Sequence, residues 1–255
     1  MAKVAYKFSA TLFDKFYDYL NSDDLWERYY GFAENPSISP EEFHQKQYQS
    51  LIDSINRVPF KSLDANKGTA FNEVIDCMVL HQNTKRNDMK IVRWRKENGV
   101  LLGVKVTLDG DDFFYPLDLI NEVASWYKGG LPQQYIQAIL PTCFGDIMVY
   151  GYIDYVMPFK TCDLKTTKKY WFGKFKHHFQ HIVYPYALAA NGADVREFEY
   201  NVVEWKTYGC DYYTEHYLYR PERDVPRLTE ISEELVRFLQ DNRDKIIDKK
   251  IFARI

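Results

Sequence analysis

GYIDYVMPFKTCDLKTT, residues 151–167, contains the charged groups around which the rest of the chain can be arranged. One apolar-rich run ends at Asp154, and a second leads into Asp163 and Lys165 after a short link that contains a proline. This pattern predicts two neighbouring strands. If the strands pair, Asp154 and Asp163 lie close together near the strand ends. Lys165 lies on the same face as Asp163, because strand side chains alternate with a period of two.

Two carboxylates this close repel each other and need a cation between them. A divalent metal is the obvious candidate, and the carbonyl of Leu164 completes an all-oxygen set that suits Mg²⁺ or Mn²⁺ better than zinc. Such metals indicate phosphate chemistry. In phosphodiester hydrolysis a metal polarises the phosphoryl oxygen and lowers the pKa of a bound water, which Lys165 could orient. An ordinary salt bridge between Asp154 and Lys165 explains the spacing equally well.

Length and composition predict a globular protein with one large domain. The chain has 255 residues, of which 46% are hydrophobic and 17% aromatic, so it can bury a sizeable core. The net charge of -3 does not indicate a nucleic-acid partner, although it can hide a local basic patch. No apolar run approaches the roughly eighteen residues of a membrane helix, and no signal peptide is evident. We expect a cytoplasmic protein without a membrane partner.

The four cysteines are scattered along the chain and do not suggest a metal cluster. They are Cys77, Cys143, Cys162 and Cys210. No two of them have the CxxC spacing of zinc or iron–sulfur ligands, and a chain of this size needs no disulfide. We therefore expect reduced thiols and no iron–sulfur cluster.

Helical and strand patterns alternate along the rest of the chain. Apolar spacing predicts helices over 9–21, 40–56, 68–80, 116–126, 133–140, 172–190 and 229–252. Pro185 implies a kink or a break in the sixth of these. Besides the two strands of the opening stretch, β-rich runs predict strands over 90–95, 100–108, 111–117, 196–205 and 210–219, the last two at sheet edges. This order fits a mixed α/β fold with a central mixed sheet flanked by helices.

A basic, aromatic segment follows the second strand of the opening stretch. Residues 160–178 contain six lysines and a single acid, Asp163. In TTKKYWFGKFKHHF the lysines Lys168, Lys169, Lys174 and Lys176 are interleaved with Tyr170, Trp171, Phe172 and Phe175. Lysine contacts to phosphate and aromatic stacking on bases are a known combination in nucleic-acid binding. The alternative is a solvated basic loop whose aromatic rings turn into the core.

Gln180 and Tyr184, four residues apart, share one face of the following helix. With them the motifs GYID, DLKTT and QHIVYPYALA resemble the PD-(D/E)XK nuclease superfamily, in its RecB-type and phage exonuclease branch. Asp-x-Lys alone is a weak signal, but Gly-x-x-Asp, Asp-x-Lys-Thr and Gln-x-x-x-Tyr in this order are rare by chance. The resemblance covers about residues 68–190. It implies one domain with a restriction-endonuclease-like core over 67–205, an N-terminal helical part over 1–66, and a C-terminal strand and helix over 206–255.

The resemblance also implies roles for individual residues. The implied metal ligands are Asp154, Asp163 and the carbonyl of Leu164; Lys165 acts on the water, and Gln180 and Tyr184 lie near DNA.

An upstream helix of the family begins with glycine and carries a further ligand, His or Glu, four residues later. Here Gly68 is followed by Asn72, a weaker, neutral ligand, and then by Glu73. We expect Glu73 to supply the third carboxylate through a small rotation of the helix, with Asp76 a less favoured substitute. The alternative is a degraded second metal site. Taken alone, these polar residues also fit a solvated helix face.

The activity that the resemblance implies is a Mg²⁺-dependent DNA exonuclease, with Mn²⁺ as a substitute ion. It would act on double-stranded ends or single strands in recombination, repair or phage DNA processing, beside a recombination or single-strand-binding protein. A phage-encoded enzyme would work in the host-cell cytoplasm. Two alternatives stay open: an endonuclease on the same scaffold, and a catalytically silent nucleic-acid-binding or assembly protein, which Asn72 favours.

Overall fold

The computed structural model describes residues 4–253, which fold as seven α-helices and nine β-strands in a mixed α/β arrangement. In chain order the elements are β1 (Tyr6–Ser9), α1 (Ala10–Leu20), α2 (Ser22–Tyr30), α3 (Pro40–Ile55), α4 (Leu63–Leu80), β2 (Met89–Arg95), β3 (Leu101–Leu108), β4 (Asp111–Pro116), α5 (Leu117–Trp126), β5 (Leu131–Leu140), β6 (Ile147–Val156), β7 (Lys160–Thr167), α6 (Gln180–Ala190), β8 (Glu197–Trp205), β9 (Cys210–Leu218) and α7 (Pro221–Asp241). None of the helices within 4–253 combines the length and apolarity needed to cross a membrane.

A six-stranded mixed sheet forms the centre of the fold, as the sequence predicts. β6 pairs antiparallel with β5 from Ile147 to Val156, except at Asp154. On its other side β6 pairs first with β1, in parallel, and then with β7, antiparallel. β8 lies parallel to β7, and β9 follows it antiparallel at the sheet edge. Because parallel neighbours need a long crossover, α6 lies between β7 and β8 in the chain.

β6 and β7 separate soon after the turn that connects them. Their ladder has two residue pairs, both next to that turn, and β1 pairs with residues 147–150 of β6. In the described registers, residues 151–154 of β6 therefore have no strand partner on this side. Asp154 lies on one arm of the resulting opening, and Asp163 lies on the other. We call this opening the strand fork.

Side chains of the central sheet alternate between two hydrophobic clusters. On one face, Phe198 and Val202 pack with residues of α1, α3, α6 and α7. On the other face, Cys162 and Leu164 pack with α4, α5 and a separate antiparallel sheet, β2-β3-β4. Asp163 lies between Cys162 and Leu164, so the two-residue period of the strand directs its side chain to the α6 face.

Two of the N-terminal helices begin where the sequence predicts, because serine caps define their starts. The Ser9 side chain accepts a hydrogen bond from Leu12 N at 3.3 Å and caps α1. Ser39 and Glu42 form a reciprocal capping box at the start of α3. Each cap satisfies backbone N–H groups that the first helical turn leaves without a partner.

The predicted helix over 133–140 is wrong, because this segment is strand β5. Its residues pair with β6 in an unbroken antiparallel register from Gln134 to Leu140. A short apolar run does not distinguish a strand from a helix by periodicity. The antiparallel pairing with β6, the next element in the chain, makes this segment a strand.

The helix predicted over 172–190 begins only at Gln180. Gly173 has a φ of +77°, which lies outside the helical region and interrupts the periodic pattern. Pro185 lies inside α6, and the helix continues past it to Ala190 without a break.

The C-terminal helix and strands also differ from prediction. α7 starts at Pro221, not at 229. Proline is tolerated at the first helical position, because the backbone N–H that it lacks would have no partner within the helix there. It ends at Asp241, after which two short 3₁₀ turns replace the predicted continuation to 252. Of the two strands predicted at sheet edges, β8 is internal and β9 is at the edge.

Candidate active site

A cavity of about 640 Å³ opens at the strand fork. The start of α1, the first half of α4, the middle of β6, the second half of β7 and the start of α6 contribute its walls. Asp154, Asp163, Lys165, Gln180 and Tyr184 all line it. The structure thus brings together five of the residues that the sequence singles out, from three separate elements.

Asp163, Lys165 and Gln180 form a closed network in this cavity. Lys165 Nζ lies 2.6 Å from Asp163 Oδ2 and donates a hydrogen bond to Gln180 Oε1 at 2.8 Å. Gln180 Nε2 donates to Asp163 Oδ1 at 2.6 Å. Asp163 is 2% exposed, so each of its carboxylate oxygens has one charged or polar partner in a nearly dry environment. The Gln180 hydrogen bond to Oδ1 and the Lys165 ion pair with Oδ2, which has no hydrogen-bond partner among the described residues, hold the carboxylate in one orientation.

Asp154 approaches the same network from the other arm of the fork. Its Oδ2 accepts a hydrogen bond from Leu164 N at 3.0 Å, in the gap where main-chain pairing between β6 and β7 has ended. Burial raises the pKa of Asp154, and the nearby Asp163 raises it further. Burial lowers the pKa of Lys165, but the charges of Asp163 and Asp154 outweigh that effect and raise it overall. Lys165 therefore carries its proton at neutral pH.

Tyr184 fixes the position of α6 against β6. Gln180 Nε2 donates a hydrogen bond to its hydroxyl at 3.2 Å, and its ring lies on the backbone of Gly151. A Cβ atom at Gly151 would come within 2.5 Å of Tyr184 Cε1, so this close approach requires glycine. The glycine of GYID and the tyrosine of the helix motif therefore form one contact.

Asn72 lies at the open end of this network. Its Nδ2 is 3.4 Å from the carbonyl of Leu164, to which it donates a weak hydrogen bond. Its Oδ1 is buried and has no hydrogen-bond partner among the residues that the structure describes. A buried acceptor without a partner is costly, and such an atom calls for an explanation such as an ion.

The oxygens around Asn72 fit a hard divalent cation. Asp154, Asp163, the Leu164 carbonyl and Asn72 Oδ1 together form a donor set of the kind that Mg²⁺ and Mn²⁺ prefer. Each carboxylate oxygen has two lone pairs, so Asp163 can bind an ion without releasing Gln180 or Lys165. Within residues 4–253 no group of three or more His, Cys, Asp or Glu side chains is placed to hold a metal. The set combines two carboxyl groups with two neutral oxygen donors.

Glu73 and Asp76 point to other partners. Thr84 Oγ1 donates a hydrogen bond to Glu73 Oε1 at 2.5 Å, and Asp76 accepts one from the hydroxyl of Tyr155. Burial raises the pKa of Asp76 to about 6, partly offset by the Tyr155 hydrogen bond. Of Asn72, Glu73 and Asp76, Asn72 is the one that lines the cavity, whereas the prediction prefers Glu73 as the third carboxylate.

Replacing Asn72 by aspartate is expected to tighten Mn²⁺ binding about tenfold, since affinity for a hard cation rises with the charge of its ligands. Asn72→Leu, which removes the oxygen but keeps the volume, is expected to weaken binding. Isothermal titration of Mn²⁺ into each variant measures both effects. Glu73→Gln is the matched control and should bind as the wild type does. Weaker binding in Glu73→Gln than in Asn72→Leu would identify Glu73 as the ligand.

The four lysines of the basic segment have different environments. Lys168 forms an exposed ion pair with Asp64, 2.8 Å between Nζ and Oδ1. Lys174 is half-buried, and its Nζ donates to Thr167 Oγ1 at 2.6 Å and to the carbonyl of Lys169 at 2.8 Å. It therefore stabilises the loop. Lys169 and Lys176 are exposed and line a second cavity.

Asp14 is a buried acid that the sequence patterns do not single out. It lies on α1, and its Oδ1 accepts a hydrogen bond from Phe179 N at 2.6 Å, which caps the start of α6. Its Oδ2 lies 3.3 Å from His178 Nδ1. Burial raises the pKa of Asp14 to about 7, against the Phe179 hydrogen bond and the charge of Lys165. Asp14 thus fixes the helix start from which Gln180 projects.

Comparison with known proteins identifies no family for this chain. Neither a protein-family model nor a curated protein matches it. Among solved structures, the crystal structure of SSO0001 aligns with a TM-score of 0.37 and 11% sequence identity, over 47% of this chain and 55% of that one. The chain thus matches about half the length of that protein.

Proposed function

We propose that this chain is a metal-dependent DNA nuclease of the PD-(D/E)XK kind, with exonuclease activity favoured. The observation that carries the proposal is the convergence of Asp154, Asp163, Lys165 and Gln180 in one cavity at the strand fork. An ordinary salt bridge would account for two of these groups. It does not account for a second, half-buried carboxyl group or for a glutamine that holds both Asp163 and Lys165.

The reaction adds water across one P–O bond of the DNA backbone and leaves a phosphate monoester and a hydroxyl. A bound Mg²⁺ would polarise the phosphoryl oxygen and make water more acidic. Asp154, Asp163, Asn72 and the Leu164 carbonyl would hold it. The two carboxylates would also determine where in the cavity the positive charge of the metal lies.

Lys165 supplies the fixed positive charge of the site. The charges of Asp163 and Asp154 raise its pKa, so in the metal-free protein the ammonium keeps its proton and donates hydrogen bonds. Its ammonium orients the attacking water or stabilises charge that develops on the phosphate. Gln180 holds this ammonium at 2.8 Å and so sets its direction.

The partner of this site is DNA, with the exposed lysines of the basic segment as phosphate contacts. Lys169 and Lys176 are free to reach a backbone, and Lys168 can exchange its exposed pair with Asp64 for phosphate, because such pairs are weak. A recombination or single-strand-binding protein would be a natural companion of an enzyme that exposes single strands.

Asn72 supports a second candidate, a nucleic-acid-binding protein that does not cut. It supplies a neutral oxygen where the resemblance implies His or Glu. A site with fewer charged ligands binds a hard cation more weakly. Such a protein would bind DNA with strong salt dependence and without a tight Mn²⁺ site.

Cleavage of matched DNA substrates tests these proposals. End-labelled linear duplex, linear single strand and closed circular DNA of one sequence are incubated with Mg²⁺ and, in parallel, with EDTA. We expect the linear substrates to be digested from their ends, the circle to survive, and EDTA to stop the reaction. Nicking of the circle would show that the activity is that of an endonuclease and not of an exonuclease. Absence of cleavage with both Mg²⁺ and Mn²⁺, or cleavage that EDTA does not affect, would overturn the proposed activity.

A further inference from the structure

A second cavity, of about 690 Å³, lies between α2 and the loop that follows β7. We call it the aromatic–basic cavity, and define it by Arg28 and Tyr29 of α2 and by Lys169, Trp171, Phe172 and Lys176 of the loop. Its other lining residues are Gly173 and His177, so none of the eight is acidic. In a chain with a net charge of -3, this is a local concentration of positive charge that attracts anions.

The aromatic rings of this cavity are available for stacking. Phe172 is 92% exposed, and Tyr29 is 54% exposed. Trp171 stands edge-on to Tyr29, with ring centroids 6.3 Å apart and an interplanar angle of 73°. Lys174 Nζ lies 4.6 Å from the centre of the Trp171 ring and helps to fix it. Phe172, Trp171 and Tyr29 together form an aromatic patch beside cations, and covering such a patch with a flat apolar ligand is favourable.

The aromatic–basic cavity is close to the strand fork along the chain. Thr166 lines the first cavity and Lys169 lines the second. Lys165 and Lys169 are four positions apart in the chain, so their Cα atoms are at most about 14 Å apart. About four nucleotides at the 3.4 Å spacing of a stacked strand cover that distance. A strand whose phosphate lies at Asp163 and Lys165 can therefore extend into this cavity.

Positive charge together with free ring faces selects an unpaired nucleotide. In a duplex the faces of each base are covered by its neighbours, so that exposed aromatic rings have nothing to stack on except at an end. In a single strand the base face is open, and stacking on protein aromatics is tolerant of sequence. A bare phosphate or a protein acid would use the cations but would leave Phe172 uncovered.

We propose that the aromatic–basic cavity binds an unpaired nucleotide of the DNA strand that enters the strand fork. Trp171, Phe172 and Tyr29 stack on its base, and Arg28, Lys169 and Lys176 contact its phosphates. The substrate at this site is accordingly a single strand or a frayed end. The inference rests on the proposed nuclease function for the identity of the ligand as DNA.

Binding of labelled oligo(dT), with a blunt duplex of equal length for comparison, tests this inference in EDTA, where cleavage is prevented. Phe172→Ala and Trp171→Ala are each expected to weaken oligo(dT) binding about tenfold, by loss of one stacked base, and to leave duplex binding within twofold. Trp171→Phe keeps a ring and should bind nearly as the wild type does. Phe159→Ala is the matched control, since Phe159 is 84% exposed and precedes β7 instead of following it.

The outcomes separate this inference from the proposed activity. If both alanine variants bind oligo(dT) as tightly as the wild type, or lose single-strand and duplex binding equally, the cavity is not a base-stacking site, whether or not the wild type cuts DNA. If the alanine variants lose single-strand binding selectively while the wild type never cuts, the cavity assignment stands and the nuclease proposal fails. Circular dichroism of each variant confirms that it is folded.

Discussion

Replacing Asp154 by asparagine is expected to abolish Mg²⁺-dependent DNA cleavage while leaving the metal-free protein as stable as the wild type or more so. Asparagine has the same shape, and its Oδ1 can accept the Leu164 N–H that Asp154 accepts at 3.0 Å. It also removes an acid whose pKa burial and the neighbouring Asp163 raise to about 8. At neutral pH the fold therefore no longer has to hold neutral a carboxyl that is ionised in the unfolded chain, and it keeps a hydrogen bond.

The site loses one of its two carboxylates in the same variant. We expect Mn²⁺ affinity to fall and the initial cleavage rate to drop by about a thousandfold or more, equivalent to about 4 kcal/mol of activation free energy. Cleavage rates, Mn²⁺ titration and thermal unfolding in EDTA are the three measurements. Asp241→Asn is the control, because Asp241 is exposed at the end of α7. An Asp154→Asn protein that still cuts at a tenth of the wild-type rate would exclude Asp154 from the metal site.

This opposition between stability and function is typical of sites whose charges are arranged for a ligand. Asp163 is buried, with the half-buried Asp154 and Lys165 beside it, although the protein gains little net stability from such a cluster. The buried Oδ1 of Asn72, which has no hydrogen-bond partner among the described residues, lowers the free energy of unfolding further. The strand fork is therefore a place where the sequence retains unfavourable groups, and a bound cation would offset them.

Local sequence patterns were sufficient to predict the part of the site that lies on β7. Asp163 and Lys165 are two residues apart on one strand, so the alternation of side chains places both on one face, and their 2.6 Å contact confirms it. Gln180 and Tyr184 are one helical turn apart, and their 3.2 Å hydrogen bond confirms the shared face. Such relations depend on the geometry of a single element.

Relations between elements could not be predicted in the same way. Whether Asn72 or Glu73 faces the cavity depends on the rotation of α4 against β7, and a change of one residue turns a helix by about 100°. Asp14 is about 165 positions from Phe179, whose N–H it accepts. A single aspartate on α1, among apolar residues, forms no local sequence motif that marks it as part of a site. The strand β1 was not predicted, and α2 was not predicted either, although Arg28 and Tyr29 on α2 complete the aromatic–basic cavity.

Replacing Lys165 by methionine is expected to destabilise the metal-free protein and to abolish cleavage. Methionine keeps the length of the side chain and removes the ammonium that lies 2.6 Å from Asp163 and 2.8 Å from Gln180. Asp163, at 2% exposure, is left as a buried charge without a cation. Breaking a buried pair on one side costs about 3 kcal/mol of unfolding free energy. The double variant Lys165→Met with Asp163→Asn is expected to lose less unfolding free energy than the two single variants lose together. The difference should be about 1 kcal/mol or more.

The response to metal distinguishes the role of Lys165 from that of Asp154. In Lys165→Met a divalent cation can replace the missing ammonium beside Asp163, so Mn²⁺ is expected to stabilise this variant more than it stabilises the wild type. Cleavage should nonetheless stay about a thousandfold lower, because the charge that acts on water and phosphate is absent. Urea unfolding with and without Mn²⁺ measures the stability, and Lys90→Met, an exposed lysine on β2, is the control. Tighter metal binding with lost cleavage identifies Lys165 as a catalytic group, whereas loss of both in Lys165→Met would reduce it to a structural partner of Asp163.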